Sequence, residues 1–288
     1  MDSSDVAAEF ERHRAHLTDV AYRILGTMAD AEDAVQEAYL RLARADGGGL
    51  RNAQAWLTTV VSRISLDKLS SARARRESYV GPWLPEPVVD AGLSPEDKIT
   101  LDESVSMAML VLLESLTPAE RTAFVLHDVL DLSYGEVADV VGRGEEACRQ
   151  LVSRARAHIR RRAPRFTPDR AQHARAVEAF SKACFEGDVA GLISVLDPAV
   201  VLRSDGGGVI AGVARRPVTG AGNVARLLIA IAARHAVTPR AGLVNGASGL
   251  VFDVGGAVVG VMGFTVADNL ITEIGFVLNP DKLRRVSR

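Results

Sequence analysis

Apolar positions recur at helical spacing through the first half of the chain. Val6, Phe10, Leu17, Val20, Ala21, Ile24 and Leu25 form one stripe and predict an amphipathic helix. Gly26 breaks it. Asp30-Ala-Glu-Asp33 opens a second helix, with acids in the first turn where the helix dipole favours them. Ala34, Ala38, Tyr39 and Leu42 give that helix one apolar face, and Asp46-Gly-Gly-Gly49 ends it. A third helix, from about Asn52 to Arg76, carries Trp56, Leu57, Val60, Val61, Ile64 and Leu69 on its apolar side. Trp56 belongs to that stripe and is expected in the core rather than stacked on a base.

The pattern then breaks. Gly81-Pro-Trp-Leu-Pro-Glu-Pro-Val-Val-Asp90 holds three prolines in six residues and reads as an extended linker. Ser94-Pro95-Glu96-Asp97 caps a helix that runs to Ser115, and Thr117-Pro118-Ala119-Glu120 opens the next. Ser133 and Glu136 form a capping box for a short helix in which Val137, Ala138 and Val141 face inward. Gly142 turns the chain into a second helix from about Glu145 to Arg162. There Cys148, Leu151 and Val152 point inward, so Cys148 is a core thiol. Glu146, Arg149, Gln150, Ser153 and Arg154 point outward. This is a helix-turn-helix pattern, whose second helix enters a DNA major groove in proteins that use it so.

After residue 170 the period changes. One or two helices cover Ala171 to Leu196. Strands are expected at Val200–Leu202, Val209–Ile210, Gly249–Val254, Ala257–Val266 and Leu270–Leu278, with a helix from about Gly222 to His235. The last three strands read as an antiparallel meander. An all-helical portion is thus joined to an α+β portion, and 288 residues accommodate both.

Composition adds exclusions. At 48% hydrophobic and 24% charged the chain can bury real cores. Two cysteines exclude a disulfide scaffold and a cysteine-rich zinc site. The charged N-terminus lacks the apolar core of a signal peptide, and no apolar run approaches the roughly 20 residues of a membrane span. A cytoplasmic protein without membrane contact, metal or cofactor is expected.

The net charge of −2 argues against a strongly basic protein, yet the bases are unevenly placed. Lys68 to Arg76 holds four bases and no acid. Arg149 to Thr167 holds seven arginines and no acid. Such clusters at the ends of two helical units suit phosphate neutralisation. Arg63, Lys68, Arg73, Arg75 and Arg76 form one candidate DNA-binding set. Glu146, Arg149, Gln150, Ser153, Arg154 and Arg156 form the other.

These blocks resemble a family. The segment from Asp30 to Leu42 resembles region 2.2 of the extracytoplasmic-function sigma factors, Trp56 to Arg76 resembles regions 2.3 and 2.4, and Leu116 to Arg161 resembles region 4. The resemblance implies an alternative sigma factor, not an enzyme. Region 2 would melt and read the minus-10 element and region 4 would read the minus-35 element. The implied partners are promoter DNA and RNA polymerase core, through the beta-prime clamp helices and the beta flap. Asp33, Gln36, Glu37, Leu40 and Arg41 share one helix face and would meet the clamp.

Three further motifs resemble a subgroup with a fused C-terminal SnoaL-like domain, an α+β cone of the NTF2 type that would act in place of a separate anti-sigma factor. They are Trp83-Leu84-Pro85-Glu86-Pro87, Asp205-Gly206-Gly207-Gly208 and Asn279-Pro280-Asp281-Lys282-Leu283. The implied organisation is region 2 over 1–77, linker over 78–95, region 4 over 96–166, the SnoaL-like domain over 167–278 and a tail over 279–288. Departures are Val209 where a lysine is usual, and Ala147 and Leu151 in the recognition helix where a threonine and a base are frequent.

Cone folds elsewhere carry acid/base pairs. Here His235, Glu273, Asp205 and Arg203 form no recognisable dyad, so no catalytic residue is assigned. A small ligand in the cone is left open, and the free chain is expected to be monomeric. Two alternatives stand beside this reading: a ligand-responsive helix-turn-helix regulator that binds duplex without polymerase, and a polyketide-cyclase-like enzyme with a helical fusion.

Overall fold

The computed structural model describes residues 3–44, 52–77, 79–89, 106–162, 169–234, 237 and 239–286. They fall into two compact units. Those of the first lie within Met1–Glu77 and Leu112–Ala163, and those of the second within Ser78–Pro95, Val105–Val111 and Pro164–Arg288.

The first unit is helical. Helices α1 (Ser3–Leu25), α2 (Met28–Arg44) and α3 (Ala53–Glu77) pack around Phe10, Leu17, Ile24, Leu42, Leu57 and Val61, all buried. The apolar stripes of the sequence are therefore the packed faces. Trp56 is only half-buried, because it sits on the first turn of α3, ahead of Leu57 and Val60. After α4 (Met107–Glu114), α5 (Pro118–Phe124) starts at a Thr117–Glu120 capping box with Pro118 in its first turn. A five-residue π-helix, Val125–Val129, leads to α6 (Tyr134–Val141), capped by Ser133 and Glu136 and ended by left-handed Gly142. Helix α7 (Glu145–Arg162) follows. Val137 and Val140 are buried, while Ala138 and Val141 are only half-buried. Cys148 is buried, and that burial raises its thiol above the ordinary value. The expected cap at Ser94-Pro95 lies outside the described residues, as do Asp46-Gly-Gly-Gly49, Pro164 and Pro168.

The second unit is a six-stranded mixed sheet in the order β2-β1-β6-β5-β4-β3. Strands β1 (Leu196–Asp205) and β2 (Val218–Thr219) precede helix α10 (Ala221–Arg234). Strands β3 (Pro239–Val244), β4 (Ala247–Val254), β5 (Ala257–Ala267) and β6 (Leu270–Val277) follow as the meander. Three two-residue turns with positive φ link the meander: Asn245-Gly246, Gly255-Gly256 and Asp268-Asn269. That backbone matches the natural strand twist. Strand β1 pairs parallel to β6, so the sheet is not purely antiparallel.

Val209–Ile210 is not a strand. It follows Gly207 and Gly208, both at positive φ, and lies exposed in a turn. Strand β3 was missing from the expected set.

Side-chain alternation gives the sheet two dry faces. Leu202, Leu250, Met262, Phe264, Ile274 and Phe276 face helices α8 (Arg170–Glu186), α9 (Val189–Val195) and α10. Val251, Val261 and Val277 point the other way. That outer face is covered by Leu84 and Val89 of the linker, Met107, and Leu283 and Val286 of the tail. This mixed sheet with helices packed on one face is the α+β portion expected from the sequence.

Candidate functional site

The three motifs resembling subgroup signatures converge in the second unit. Strand β1 ends at Asp205, whose side chain is fully buried. A buried carboxylate is costly unless its lone pairs are filled. Here four donors reach it. Oδ1 accepts from the Tyr79 hydroxyl at 2.5 Å and the Gly207 amide at 3.0 Å. Oδ2 accepts from the Leu84 amide at 2.9 Å and Lys282 Nζ at 2.7 Å. Lys282, itself buried, also donates to the Leu84 carbonyl. Its ammonium stands 3.9 Å from the centre of the Trp83 ring and 5.6 Å from that of Tyr79, so cation–π attraction adds to the ion pair.

Asn279 caps α11 (Pro280–Leu283) through the Asp281 amide and donates to the Tyr79 oxygen at 3.0 Å. Arg285 reaches Glu86 at 3.8 Å. Leu84, Pro85, Glu86 and Pro87 are buried, and Leu283 packs behind them. Burial, the hydrogen bond to Asp205 and its negative charge together push the Tyr79 phenol well above its usual range.

The glycines after Asp205 are dictated by space. At Gly207 (φ +67°) a Cβ would sit 2.8 Å from the Asn279 side chain, and at Gly208 (φ +74°) 3.0 Å from Val80. Either substitution combines left-handed strain with a clash. On the outer face the cross-strand pair Gly263–Gly275 leaves a notch for Met107, with Leu84 against Gly275.

In the first unit, Asp33, Gln36, Leu40 and Arg41 are exposed along α2 and Glu37 is half-exposed. Glu37 pairs with Arg41 at 2.6 Å, and Asp33 lies 3.9 Å from Lys68. Leu40 is an apolar side chain, 47% exposed, on an otherwise polar face.

Arg63 does not point freely outward. Its Nε and Nη2 donate to the Asp139 carbonyl on α6 at 3.0 and 2.6 Å. Arg121, buried on α5, donates to the Arg23 carbonyl near the end of α1 and pairs with Glu114. The two helical portions are therefore fastened together within this unit. Arg73, Arg75 and Arg76 lie on the last turns of α3, and their side chains are outside the described residues.

Glu146, Arg149, Gln150, Ser153, Arg154 and Arg156 are all exposed on α7. The three arginines already have acidic partners. Arg149 pairs with Glu145 and Glu146 and stacks over Tyr134, Arg154 pairs with Glu120, and Arg156 pairs with Asp128. Burial would raise the Glu120 carboxyl, but hydrogen bonds from Thr117 and Arg154 outweigh it and hold the group low.

The remaining acid/base candidates do not converge. Arg203 and Glu273 pair at 3.2 Å on the outer face, Asp205 is committed to Lys282, and His235 is outside the described residues. Cys184 packs at the helix-lined core, where burial pushes its thiol up to about 12.

Sequence reasoning missed two residues: Tyr79, four positions before Trp83, and Asn245. Only the Asn-Gly dipeptide, a hairpin signal, marked the latter.

Residues 10–75 match the family model for Sigma-70 region 2, and residues 106–159 match that for Sigma-70, region 4. The chain is 41% identical to the ECF RNA polymerase sigma factor SigJ of Mycobacterium tuberculosis, over 96% of this chain and 92% of that protein. It is 36% identical to the probable ECF RNA polymerase sigma factor SigI of the same organism, over 96% and 94%. The crystal structure of M. tuberculosis SigJ superposes with a TM-score of 0.79 at 38% identity, covering 96% of this chain and 97% of that one. Among the described residues no helix is long and apolar enough to cross a membrane. Both helical regions, the α+β unit and these near-full-length matches agree: the chain belongs to the extracytoplasmic-function sigma factors, the alternative sigma factors that direct RNA polymerase to promoters.

Proposed function

We propose that the fused α+β unit governs this sigma factor by holding the linker that joins region 2 to region 4. The carrying observation is the clasp in which Asp205 and Lys282 secure Tyr79, Trp83 and Leu84. A linker seated there is withheld from polymerase and DNA, as a separate anti-sigma protein would withhold it. The stiff proline stretch lowers the entropy lost on docking. The domains in this reading are region 2 over 1–77, linker over 78–95, region 4 over 96–166, the SnoaL-like domain over 167–278 and the tail over 279–288.

In the active state Asp33, Gln36, Glu37, Leu40 and Arg41 meet the beta-prime clamp helices, and region 4 meets the beta flap. Arg63, Lys68, Arg73, Arg75 and Arg76 contact the backbone around the melted minus-10 element. The α7 set, Glu146 through Arg156, reads the minus-35 element. Elements about 25 base pairs apart are separated by roughly 85 Å at 3.4 Å per base pair. The bond between Arg63 and the Asp139 carbonyl must therefore open before both are engaged. The polymerase performs the chemistry, and this chain supplies its address.

Run-off transcription with purified polymerase core tests the reading. A chain ending at residue 278 is expected to start transcripts at the same site with higher yield. Equal yield from the truncated and full chains refutes control by the clasp.

A further inference from the structure

Beyond the clasp, the linker is held at a second point. Pro85 and Pro87 carry no amide hydrogen, so between Leu84 and Val88 only Glu86 has one. The two amides that bracket this stretch are each captured by a side-chain oxygen of the α+β unit. Leu84 donates to Asp205 Oδ2 at 2.9 Å, and Val88 donates to Asn245 Oδ1 at 3.2 Å. The Asn245 amide returns the contact, donating to the Val88 carbonyl at 2.7 Å. Val89 then forms an antiparallel bridge with Val244, the last residue of β3. Val88 and Val89 thus lie against the β3–β4 hairpin as a one-pair strand addition, a mode in which backbone hydrogen bonds supply the recognition.

Asn245 is suited to this. As the first residue of a turn with φ +50° it tolerates the left-handed region better than most side chains, and it is buried. Packing supports the same site: Val89 and Val244 belong to one apolar cluster with Val251 and Leu84.

We infer that Asn245 is a positioning residue for the linker, a second docking station that holds Val88–Val89 independently of Lys282. The inference deepens the linker-control reading and rests on it for its regulatory meaning, although the docking itself does not. The tail clasp fixes the front of the linker, and Asn245 fixes the segment leading toward region 4. Loss of the tail alone therefore leaves the second contact in place.

The test uses the full chain labelled with 15N-leucine and 15N-valine, following amide exchange of Leu84 and Val88. Asn245→Gly keeps a residue at ease with positive φ and removes only the side chain. It is expected to speed Val88 exchange about tenfold, the loss of one hydrogen bond, with Leu84 unchanged. Asn245→Asp keeps an acceptor at the same place and is expected to restore protection. Val88→Pro, which lacks the donor, is expected to raise transcript yield in run-off assays with core, as Asn245→Gly does. Unchanged Val88 exchange in Asn245→Gly overturns the inference. So does an equal acceleration at Val88, Leu84 and the hairpin valines, which would mark general destabilisation. If Val88 is released as expected but yield does not move, docking at Asn245 stands and linker control fails.

Discussion

Lys282→Met removes one charge from the clasp while keeping a side chain of similar length. Asp205 is fully buried and loses its cationic partner, retaining the Leu84, Gly207 and Tyr79 donors. Removing one partner of a buried pair costs about 3–5 kcal/mol, and three remaining donors place this case near the lower end. Lost cation–π attraction to Trp83 adds about 1 kcal/mol, which apolar packing of the methionine roughly offsets. A net weakening of about 3 kcal/mol shifts the docked-to-free ratio of the linker by roughly two powers of ten. The assay is amide exchange at Leu84, whose hydrogen bond ends on the same carboxylate oxygen as the lysine. About 100-fold faster exchange is expected, with the β5–β6 amides unchanged. Leu84 protection within threefold of the native chain would show that the ion pair does not hold the linker.

Other perturbations probe different parts. Gly207→Ala combines left-handed strain with a Cβ 2.8 Å from Asn279 and is expected to cost about 2 kcal/mol in thermal unfolding of the full chain. Glu120→Gln keeps a residue able to complete the capping box but frees Arg154. Holoenzyme carrying it should bind promoter about two- to threefold tighter, and Arg154→Ala holoenzyme weaker with a shallower salt dependence, in titrations at fixed salt. Burial holds His16 and His173 below their ordinary value of 6.5. Their neutral forms are favoured in the fold, so this stability is present above pH 6.5 and declines as pH falls below it. Thermal midpoints at pH 7.5 and 5.5 should differ, and less so in His173→Gln.

The helical half was legible because capping and amphipathic spacing are local signals. Thr117–Glu120 and Ser133–Glu136 both form the boxes their spacing implies. The sheet was less so. Strand β3 contains Pro239, Arg240 and Gly242, has no strong alternation and gains its order from pairing with β4. Val209–Ile210 has strand composition but follows two glycines in left-handed geometry. The three subgroup motifs were visible as motifs. Their meeting at Asp205 was not, because residues 79, 205 and 282 come together only through the fold. Surface positions on α7 were readable from helical phase, yet the acids that occupy its arginines come partly from other elements, Glu120 and Asp128. Asn245 lacked any chemical signature, since its role is to meet another segment's backbone.

Control of the sigma factor by its docked linker is measured most directly by run-off transcription with purified polymerase core loaded with either the native chain or Lys282→Met, at matched holoenzyme concentration. One start site is expected for both, with a higher yield from the variant, in step with its faster Leu84 exchange. Equal yields from a variant whose linker is demonstrably released would contradict it.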